Sequence, residues 1–253
     1  MRSKHRKTMA NSKLLPLAIG LTLLLVPSSA LAMHIAEGIL PFGWALLWGC
    51  AAIPFLAWGL RELRVRSAGE PLHKQMVALV GAAVFVISCL PIPVPIVGST
   101  AHPCGTGLSA ILIGPAATVV VASVALVLQA LFLAHGGLTT LGANIVSMGV
   151  VGAYVGYLAF RLARYAGIPW WGAAFLAGLL SDWATYATTA LELATALHGA
   201  RSITTVFLGV IAALVPTQIP LGLVEGVISA GAYQMVRTRR PELLRLLLGR
   251  KPA

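Results

Sequence analysis

Long apolar stretches fill most of this sequence, and they constrain its fold more than any other feature. They run over residues 43–60, 75–92, 107–134, 143–162, 170–196 and 203–236. A helix needs about 20 apolar residues to cross the hydrocarbon core of a bilayer, and each stretch is close to that length or longer. Inside hydrocarbon the backbone must satisfy its own polar groups, which a continuous helix does. The sequence therefore predicts an all-α, polytopic membrane protein.

The composition agrees with this prediction and excludes a soluble enzyme. Only 10% of the 253 residues are charged and 58% are hydrophobic, with a mean hydropathy of +0.89, whereas about a quarter of the residues are charged in an average soluble domain. The net charge of +11 does not indicate nucleic-acid binding, because the basic residues lie at the two ends of the chain and in short segments between apolar stretches. Basic residues in those places are typical of segments that face anionic lipid.

The first 32 residues have the features of a secretory signal peptide. A basic segment without acids precedes an apolar run over 14–26, and Ala30-Leu31-Ala32 supplies the small residues of a cleavage site. The apolar run is too short to span a bilayer, so we expect cleavage after Ala32. The mature chain then begins Met33-His34, and initiation at Met33 itself would give the same first residue.

Basic residues also predict the orientation of the chain. The loop between the first two apolar stretches should be cytoplasmic because it carries Arg61, Arg64, Arg66 and Lys74. The mature N-terminus and segment 92–106 then lie outside. One extra crossing within 107–134, which Gly114-Pro115 interrupts, keeps the later basic segments inside. We therefore expect about seven transmembrane helices, N-terminus out and C-terminus in, as one domain over 33–236 followed by a basic cytoplasmic tail over 237–253.

The mature N-terminus and one outer loop together form the strongest candidate for a metal site. Met33 offers an α-amine, and His34 offers its amide nitrogen and its imidazole Nδ1, which can chelate one ion in fused rings. Such nitrogens suit Ni(II), Cu(II) and low-spin Co(II) in a square plane. His102, predicted on the same side, can supply the fourth corner as a neutral imidazole. The alternative is that both histidines are ordinary interfacial residues, but position two of a cleaved chain favours the metal site.

Other polar residues are candidates for the surroundings of this site or for the lining of its cavity. They are Glu37, Ser99, Cys104, Thr106, His135 and Asn144. Cys104 lies two residues from His102, although a cysteine without a partner is more often a packing residue. His135 and Asn144 belong to a polar, glycine-containing segment that is either a capped turn between helices or part of the cavity.

Two acids, Asp182 and Glu225, lie within apolar stretches and need partners there. Contact between helices is the favoured role for Glu225. Sequence motifs of several enzyme classes are absent: GxxxxGK[ST], HExxH and GxSxG. The chain is therefore not expected to hydrolyse ATP by itself. A membrane metalloenzyme with a catalytic ion among the histidines and Glu37 as general base is the alternative from another class.

Four segments resemble the CbiM/NikM family, the substrate-binding membrane subunits of energy-coupling-factor transporters for cobalt and nickel. They are residues 33–38, 102–107, 134–144 and 217–220. The opening Met-His-Ile-Ala-Glu-Gly is specific to the family, and the resemblance extends over essentially the whole mature chain. The His-Pro-x-Gly-Thr-Gly and Ala-His-Gly-Gly forms are similar to those of the cobalt branch.

The resemblance implies a ligand set, a function and partners. The metal would lie in a square of nitrogens from Met33, His34 and His102, with Asn144 helping to organise the site. The chain would capture Co(II) as substrate, not as cofactor, in the bacterial cytoplasmic membrane for cobalamin synthesis. ATP hydrolysis would belong to partners, which are a transmembrane coupling subunit, ATPase subunits and a small accessory membrane subunit. Uptake of Ni(II) by the same transporter type is the alternative.

Overall fold

The structure of the chain is a computed structural model, which describes residues 34–90, 92–94 and 99–247. The predicted signal peptide over 1–32, Met33 and the last six residues of the predicted tail lie outside the described residues. Helices form almost all of the described secondary structure, which confirms the all-α prediction.

The elements follow one another in a simple order. The helices are α1 (Phe42–Gly69), α2 (Pro71–Ser88), α3 (Thr106–Ile113), α4 (Pro115–Phe132), α5 (Leu141–Asn144), α6 (Ala153–Tyr165), α7 (Trp170–Leu197), α8 (Ile203–Arg239) and α9 (Pro241–Leu247). A π-helical segment, Ile145–Gly152, joins α5 to α6. Two three-residue strands, β1 (Ile92–Val94) and β2 (Ser99–Ala101), form an antiparallel ribbon that pairs Ile92 with Ala101.

The chain is a membrane-embedded protein. Within the described ranges, four helices are long and apolar enough to cross a membrane, namely α1, α4, the continuous helix Leu141–Tyr165, and α8. Helix α2 contributes a shorter apolar segment, and α7 has 28 residues. The expected count of seven crossings and their orientation stay predictions.

The apolar stretch 107–134 forms two helices that break at Gly114-Pro115. Gly114 has a φ of +91°, which glycine adopts without the strain of a side chain, and Pro115 begins α4, a position where its missing N–H costs nothing. Helix α3 has eight residues and is therefore about 12 Å long at about 1.5 Å per residue. That is less than half of the hydrocarbon thickness of about 30 Å, and every residue of α3 is buried.

Helix α1 continues well past the apolar stretch that predicted it. The expected loop with the basic residues is helical, because α1 runs to Gly69 and only Glu70 separates it from α2. Arginine, glutamate and leucine favour helix, and Glu62 pairs with Arg66 one turn later at 2.5 Å. Arg66 also donates to the carbonyl of Ile113, at the end of α3, at 3.1 Å.

Small residues allow α7 to pack closely against α3 and α8. A Cβ atom on Gly107 of α3 would lie 2.4 Å from the carbonyl oxygen of Ala177, and one on Gly178 would lie 2.5 Å from the Ser229 hydroxyl of α8. Only glycine fits at such distances, as is common where membrane helices meet. The middle of α7 is therefore enclosed by α3 on one side and α8 on another.

The two ends of α7 mark the two ends of the bundle. At its start, Trp170 lies under the guanidinium groups of Arg164 and Arg237, at 3.9 Å and 4.7 Å from the ring centroid. Near its end, Leu193 and Ala196 pack against the cluster that contains Ile35. The first described residues therefore lie at the end of the bundle opposite to these arginines.

Candidate metal site

Three histidine rings meet at the end of the bundle where α7 finishes. The ring centroids of His34 and His102 are 5.0 Å apart, those of His34 and His135 are 5.0 Å apart, and those of His102 and His135 are 4.9 Å apart. One ligand nitrogen from each ring lies within 4.8 Å of the others, so a single ion can contact all three. Met33, the other predicted ligand, lies outside the described residues.

Irregular backbone at helix ends carries each of the three histidines. His34 precedes α1, His102 follows β2, and His135 follows α4. Ala134 and Gly136 have φ values of +49° and +79°, and this left-handed backbone turns the chain on both sides of His135. A Cβ atom on Gly136 would lie 3.2 Å from Cβ of His34, so glycine keeps room for the His34 side chain.

Burial keeps the three imidazoles neutral. His34 and His102 are each 3% exposed. Burial lowers the pKa of His34 well below its usual value, with His102 and His135 adding to the effect. Burial also lowers the pKa of His102 to about 3 and lowers the pKa of His135. Neutral imidazole is the form that binds metal, so the cluster is ready to bind at neutral pH.

The hydrogen bonds of His102 determine which of its nitrogens carries the proton. Nδ1 lies 3.0 Å from the carbonyl oxygen of Pro103, which can only accept, so Nδ1 is the donor. In a neutral ring Nε2 then has a lone pair, and it accepts from Nε2 of His135 at 3.0 Å. The carbonyl of Pro103 therefore orients His102 so that its Nε2 lone pair points into the cluster.

Gln129 is a residue of this site that the sequence did not single out. It is fully buried in α4, and its amide nitrogen donates to the carbonyl and to the hydroxyl of Ser88, both at 3.0 Å. It lies next to the imidazole of His34. A histidine that binds metal through one ring nitrogen often donates from the other to an oxygen atom. The side-chain oxygen of Gln129 can accept from Nε2 of His34 if His34 binds metal through Nδ1. The only available signal was a polar side chain within an apolar stretch.

Asn144 and Thr140 hold the residue that follows His34. The Asn144 side chain bonds both backbone polar groups of Ile35, and the Thr140 hydroxyl donates to the Ile35 carbonyl at 2.5 Å. Asn144 is the last residue of α5, at the point where the π-helical segment begins. Both side chains therefore fix the backbone beside the candidate ligand His34.

Glu37 lies outside the histidine cluster. It is exposed, and its carboxylate accepts from the Thr139 backbone at 3.1 Å and from the Thr139 hydroxyl. The hydroxyl bond is the main reason that the pKa of Glu37 lies below its usual value. The carboxylate therefore joins the N-terminal segment to the loop after α4.

The remaining candidates lie elsewhere. Cys104 is buried two residues after His102, but its thiol groups with Asp182 and Glu225. Thr106 begins α3, and its hydroxyl lies 3.1 Å from that of Ser181. Ser99 lies in β2. The structure thus adds His135 to His34 and His102, and it places the other candidates around or away from them.

Comparison with known proteins agrees with a transport function. Residues 34–243 match the CbiM family, described as the cobalt uptake substrate-specific transmembrane region. The cobalt transport protein CbiM of Sorangium cellulosum is 59% identical over 212 residues, which cover 84% of this chain and 94% of that protein. The cobalt transport protein CbiM of Geobacter sulfurreducens is 54% identical over 221 residues, which cover 87% of this chain and 64% of that protein.

Solved structures of transition metal transporters have a similar fold. A truncated transition metal transporter has a TM-score of 0.67 at 27% identity, covering 83% of this chain and 98% of the other. A second transition metal transporter has a TM-score of 0.70 at 26% identity, covering 81% of this chain and 92% of the other. These relatives are named as transporters and not as enzymes, which confirms the prediction of a transporter component.

Proposed function

The chain belongs to the CbiM family of cobalt uptake transmembrane proteins, and from this we propose that it is the substrate-capture subunit of an ATP-driven energy-coupling-factor transporter. In this proposal it spans the bacterial cytoplasmic membrane about seven times, N-terminus out and C-terminus in, after removal of its signal peptide. It binds Co(II) from outside and passes it inward for cobalamin biosynthesis.

The observation that carries the proposal is the pair of buried imidazoles of His34 and His102, with the half-buried imidazole of His135 beside them. This cluster starts at the second residue of the predicted mature chain. The four planar donors are the α-amine of Met33, the amide nitrogen and Nδ1 of His34, and Nε2 of His102. Imidazole and amine nitrogens in a square suit low-spin Co(II). In the metal-free chain the lone pair of His102 is held by His135, which withdraws from that position when the ion binds.

Partners complete the transporter in this proposal. The sequence has no GxxxxGK[ST] motif for binding nucleotide phosphates, and in the proposal ATPase subunits act through a transmembrane coupling subunit, with a small accessory membrane subunit beside them. Helices α1 and α8 suit such contacts, because only 17% of the apolar membrane-spanning part of each helix is buried within the chain. Their remaining apolar surface lies against lipid or against these subunits.

The test of the proposal is the intact mass and the metal content of the mature protein, purified after growth with equal Co(II) and Ni(II). We expect a chain that starts at Met33 and carries about one cobalt ion. Nickel in its place would transfer the same site to nickel uptake. Retention of the first 32 residues, or a chain without metal, would contradict the proposed chelate.

A further inference from the structure

A second group of metal-binding side chains lies within the bundle, apart from the histidines. It consists of Cys104, Asp182 and Glu225, whose sulfur and carboxylate oxygen atoms lie within 4.8 Å of one another. None of the three is more than 1% exposed. They come from three different elements, which are the turn before α3, helix α7 and helix α8.

Asp182 is the residue that makes this group a candidate site. Both of its carboxylate oxygens are buried, and neither has a hydrogen bond of good geometry among the described residues, although the carboxyl group of Glu225 lies close enough to interact with them. Buried carboxylates without partners are costly. Helix packing therefore holds the two carboxylate oxygens of Asp182, which can act as metal ligands, close to the thiol of Cys104 and the carboxylate of Glu225.

Glu225 has lone pairs to spare for a metal ion. Its two oxygens accept the backbone N–H groups of Cys104 at 2.6 Å and of Gly105 at 2.9 Å, and each oxygen has a second lone pair. In the described part of the chain, the ion pairs are Glu62 with Arg66 and Arg240 with Glu242, so neither acid of the cluster is paired with a basic side chain. A cation would relieve the repulsion between the two carboxylates.

The cluster lies near the middle of α7. Asp182 is 12 residues after Trp170 and 15 residues before Leu197 in α7, which corresponds to about 18 Å and about 22 Å along the helix. The Cα atoms of His102 and Cys104 can be no more than about 7 Å apart, because only two residues separate them. An ion that leaves the histidines therefore reaches the cluster in one short step.

Buried hydroxyl groups continue from the cluster along α3. The hydroxyls of Thr106 and Ser181 are 3.1 Å apart, and those of Ser109 and Thr118 are 2.9 Å apart. All four residues are buried. Such hydroxyl groups commonly form hydrogen bonds between packed membrane helices, and here they line the way from the cluster towards the end of α3.

We infer that Cys104, Asp182 and Glu225 form a second, internal site for a divalent transition-metal ion, where transported cobalt stops on its way inward. This inference rests on the proposed transport function. The donors of this internal site are a thiolate and carboxylate oxygens, unlike the planar nitrogen donors of the histidine site. A site at which an ion stops in transit must also be able to release it. When Co(II) binds, the cobalt–sulfur bond forms as the thiol proton leaves to solvent, and the oxidation state of the metal does not change.

The experiment is a titration of the purified full chain, first stripped of metal, with Co(II) under reducing, oxygen-free conditions. Because the internal site must release its ion, we expect it to be empty after purification and to fill only during the titration. Equilibrium dialysis counts the bound ions, and near-ultraviolet absorption detects charge transfer from thiolate to cobalt. The wild type should bind two equivalents, and the second should produce the thiolate band. The His102→Ala variant should lose the first equivalent and keep the band.

Substitutions of Cys104 and Asp182 test whether the second bound cobalt ion lies in this cluster. Cys104→Ser should abolish the thiolate band, and Asp182→Asn should weaken the second equivalent at least about tenfold, because one carboxylate ligand becomes a neutral amide. Retention of the first equivalent shows that these variants are folded. The matched controls are Glu192→Gln, which changes another buried carboxylate of α7 without a partner, and Cys89→Ser. Both should behave as the wild type does.

Different results would contradict the internal site and the proposed transport function. Absence of the thiolate band from both the wild type and His102→Ala, or its persistence in Cys104→Ser, would overturn the internal site and leave the histidine site intact. A wild-type protein that binds no Co(II) at the histidine site would instead overturn the proposed function, whether or not the thiolate band appears.

Discussion

The carboxamide of Asn144 bonds both backbone polar groups of Ile35. Its Oδ1 accepts from the Ile35 N–H at 2.9 Å, and its Nδ2 donates to the Ile35 carbonyl at 3.2 Å. The two residues are 109 positions apart in the sequence, and Ile35 directly follows His34. One side chain at the start of the π-helical segment therefore sets the position of the backbone next to His34, the first candidate metal ligand among the described residues.

Replacement of Asn144 should weaken cobalt binding although Asn144 is not a ligand. Asn144→Leu leaves the buried N–H of Ile35 without its partner, at a cost of about 1–3 kcal/mol, which corresponds to roughly a tenfold to hundredfold loss if the cost falls on the bound form. Asn144→Asp keeps the acceptor and loses the donor, so its affinity should lie between. Equal affinities for the three proteins, measured by equilibrium dialysis, would contradict this role.

His102 and His135 should differ in their importance. His102→Ala removes a planar ligand whose orientation Pro103 fixes, whereas His135→Ala removes only the group that holds the lone pair of His102 in the metal-free chain. We expect His102→Ala to abolish tight binding at the histidine site and His135→Ala to change the affinity by less than about tenfold. A larger loss in His135→Ala than in His102→Ala would show that His135 is the planar ligand.

The proposed chelate requires the α-amine of Met33 to lie close to His34. Insertion of Gly-Ser-Gly between Met33 and His34 separates them, and we expect at least about a hundredfold loss of affinity, because the amine no longer binds at a high effective concentration. The same insertion after Gly199, in the turn between α7 and α8, is the control. The intact mass of both proteins verifies cleavage after Ala32. Unchanged affinity in the first protein would exclude the amine as a ligand.

The metal-free protein should lose stability in mild acid. His34, His102 and His135 have pKa values below the usual 6.5, about 3 for His102. Between these values the unfolded chain binds more protons than the folded chain, so the free energy of unfolding is full above about pH 6.5 and falls as the pH decreases towards 3. Thermal unfolding between pH 7.5 and 4.5 measures this fall.

A double variant, His102→Ala with His135→Ala, should give a shallower dependence of the melting temperature on pH. His198→Ala, in the turn after α7, should keep the dependence of the wild type. Identical slopes for the wild type and the double variant would show that other groups cause the fall.

Glu37 should be needed for the shape of its loop and not for chemistry. Glu37→Gln keeps an acceptor for Thr139 at an exposed position, where substitutions usually change free energies by less than about 0.5 kcal/mol, so cobalt affinity should stay within about threefold. Gly137→Ala is the informative contrast, because its Cβ atom would lie 2.6 Å from Cα of Glu37, and it should weaken binding by displacing the segment next to His34.

The sequence predicted the parts of the site that depend on local chemistry. His34 was identified from its position in the mature chain, and His102 from its loop on the same side, and the structure brings these two together. His135 and Asn144 were only candidates, because an irregular glycine-containing segment has no periodicity that shows which side chain faces inward. Gln129 was missed for a related reason, since hydropathy places it in a helix but not on a face.

Long-range packing explains the remaining differences. The thiol of Cys104 meets Asp182 and Glu225 only because close packing of α7 with α3 and α8 brings three distant segments together, and no sequence spacing contains that information. The extension of α1 to Gly69 was missed because the apolar stretch that predicted the helix ends at residue 60. Beyond it, the Glu62–Arg66 pair stabilises the helix through charge and not through hydropathy.

Glu225 of α8 anchors the loop that carries His102, although the two are far apart in the sequence. Its carboxylate accepts the N–H groups of Cys104 and Gly105, so this loop is attached to α8 as firmly as to the short helix that it precedes. His34 is held separately, because Ile35 is bonded to Asn144 of α5. The two buried histidines are therefore attached to different helices, and a shift of α8 relative to α5 would change the distance between their rings.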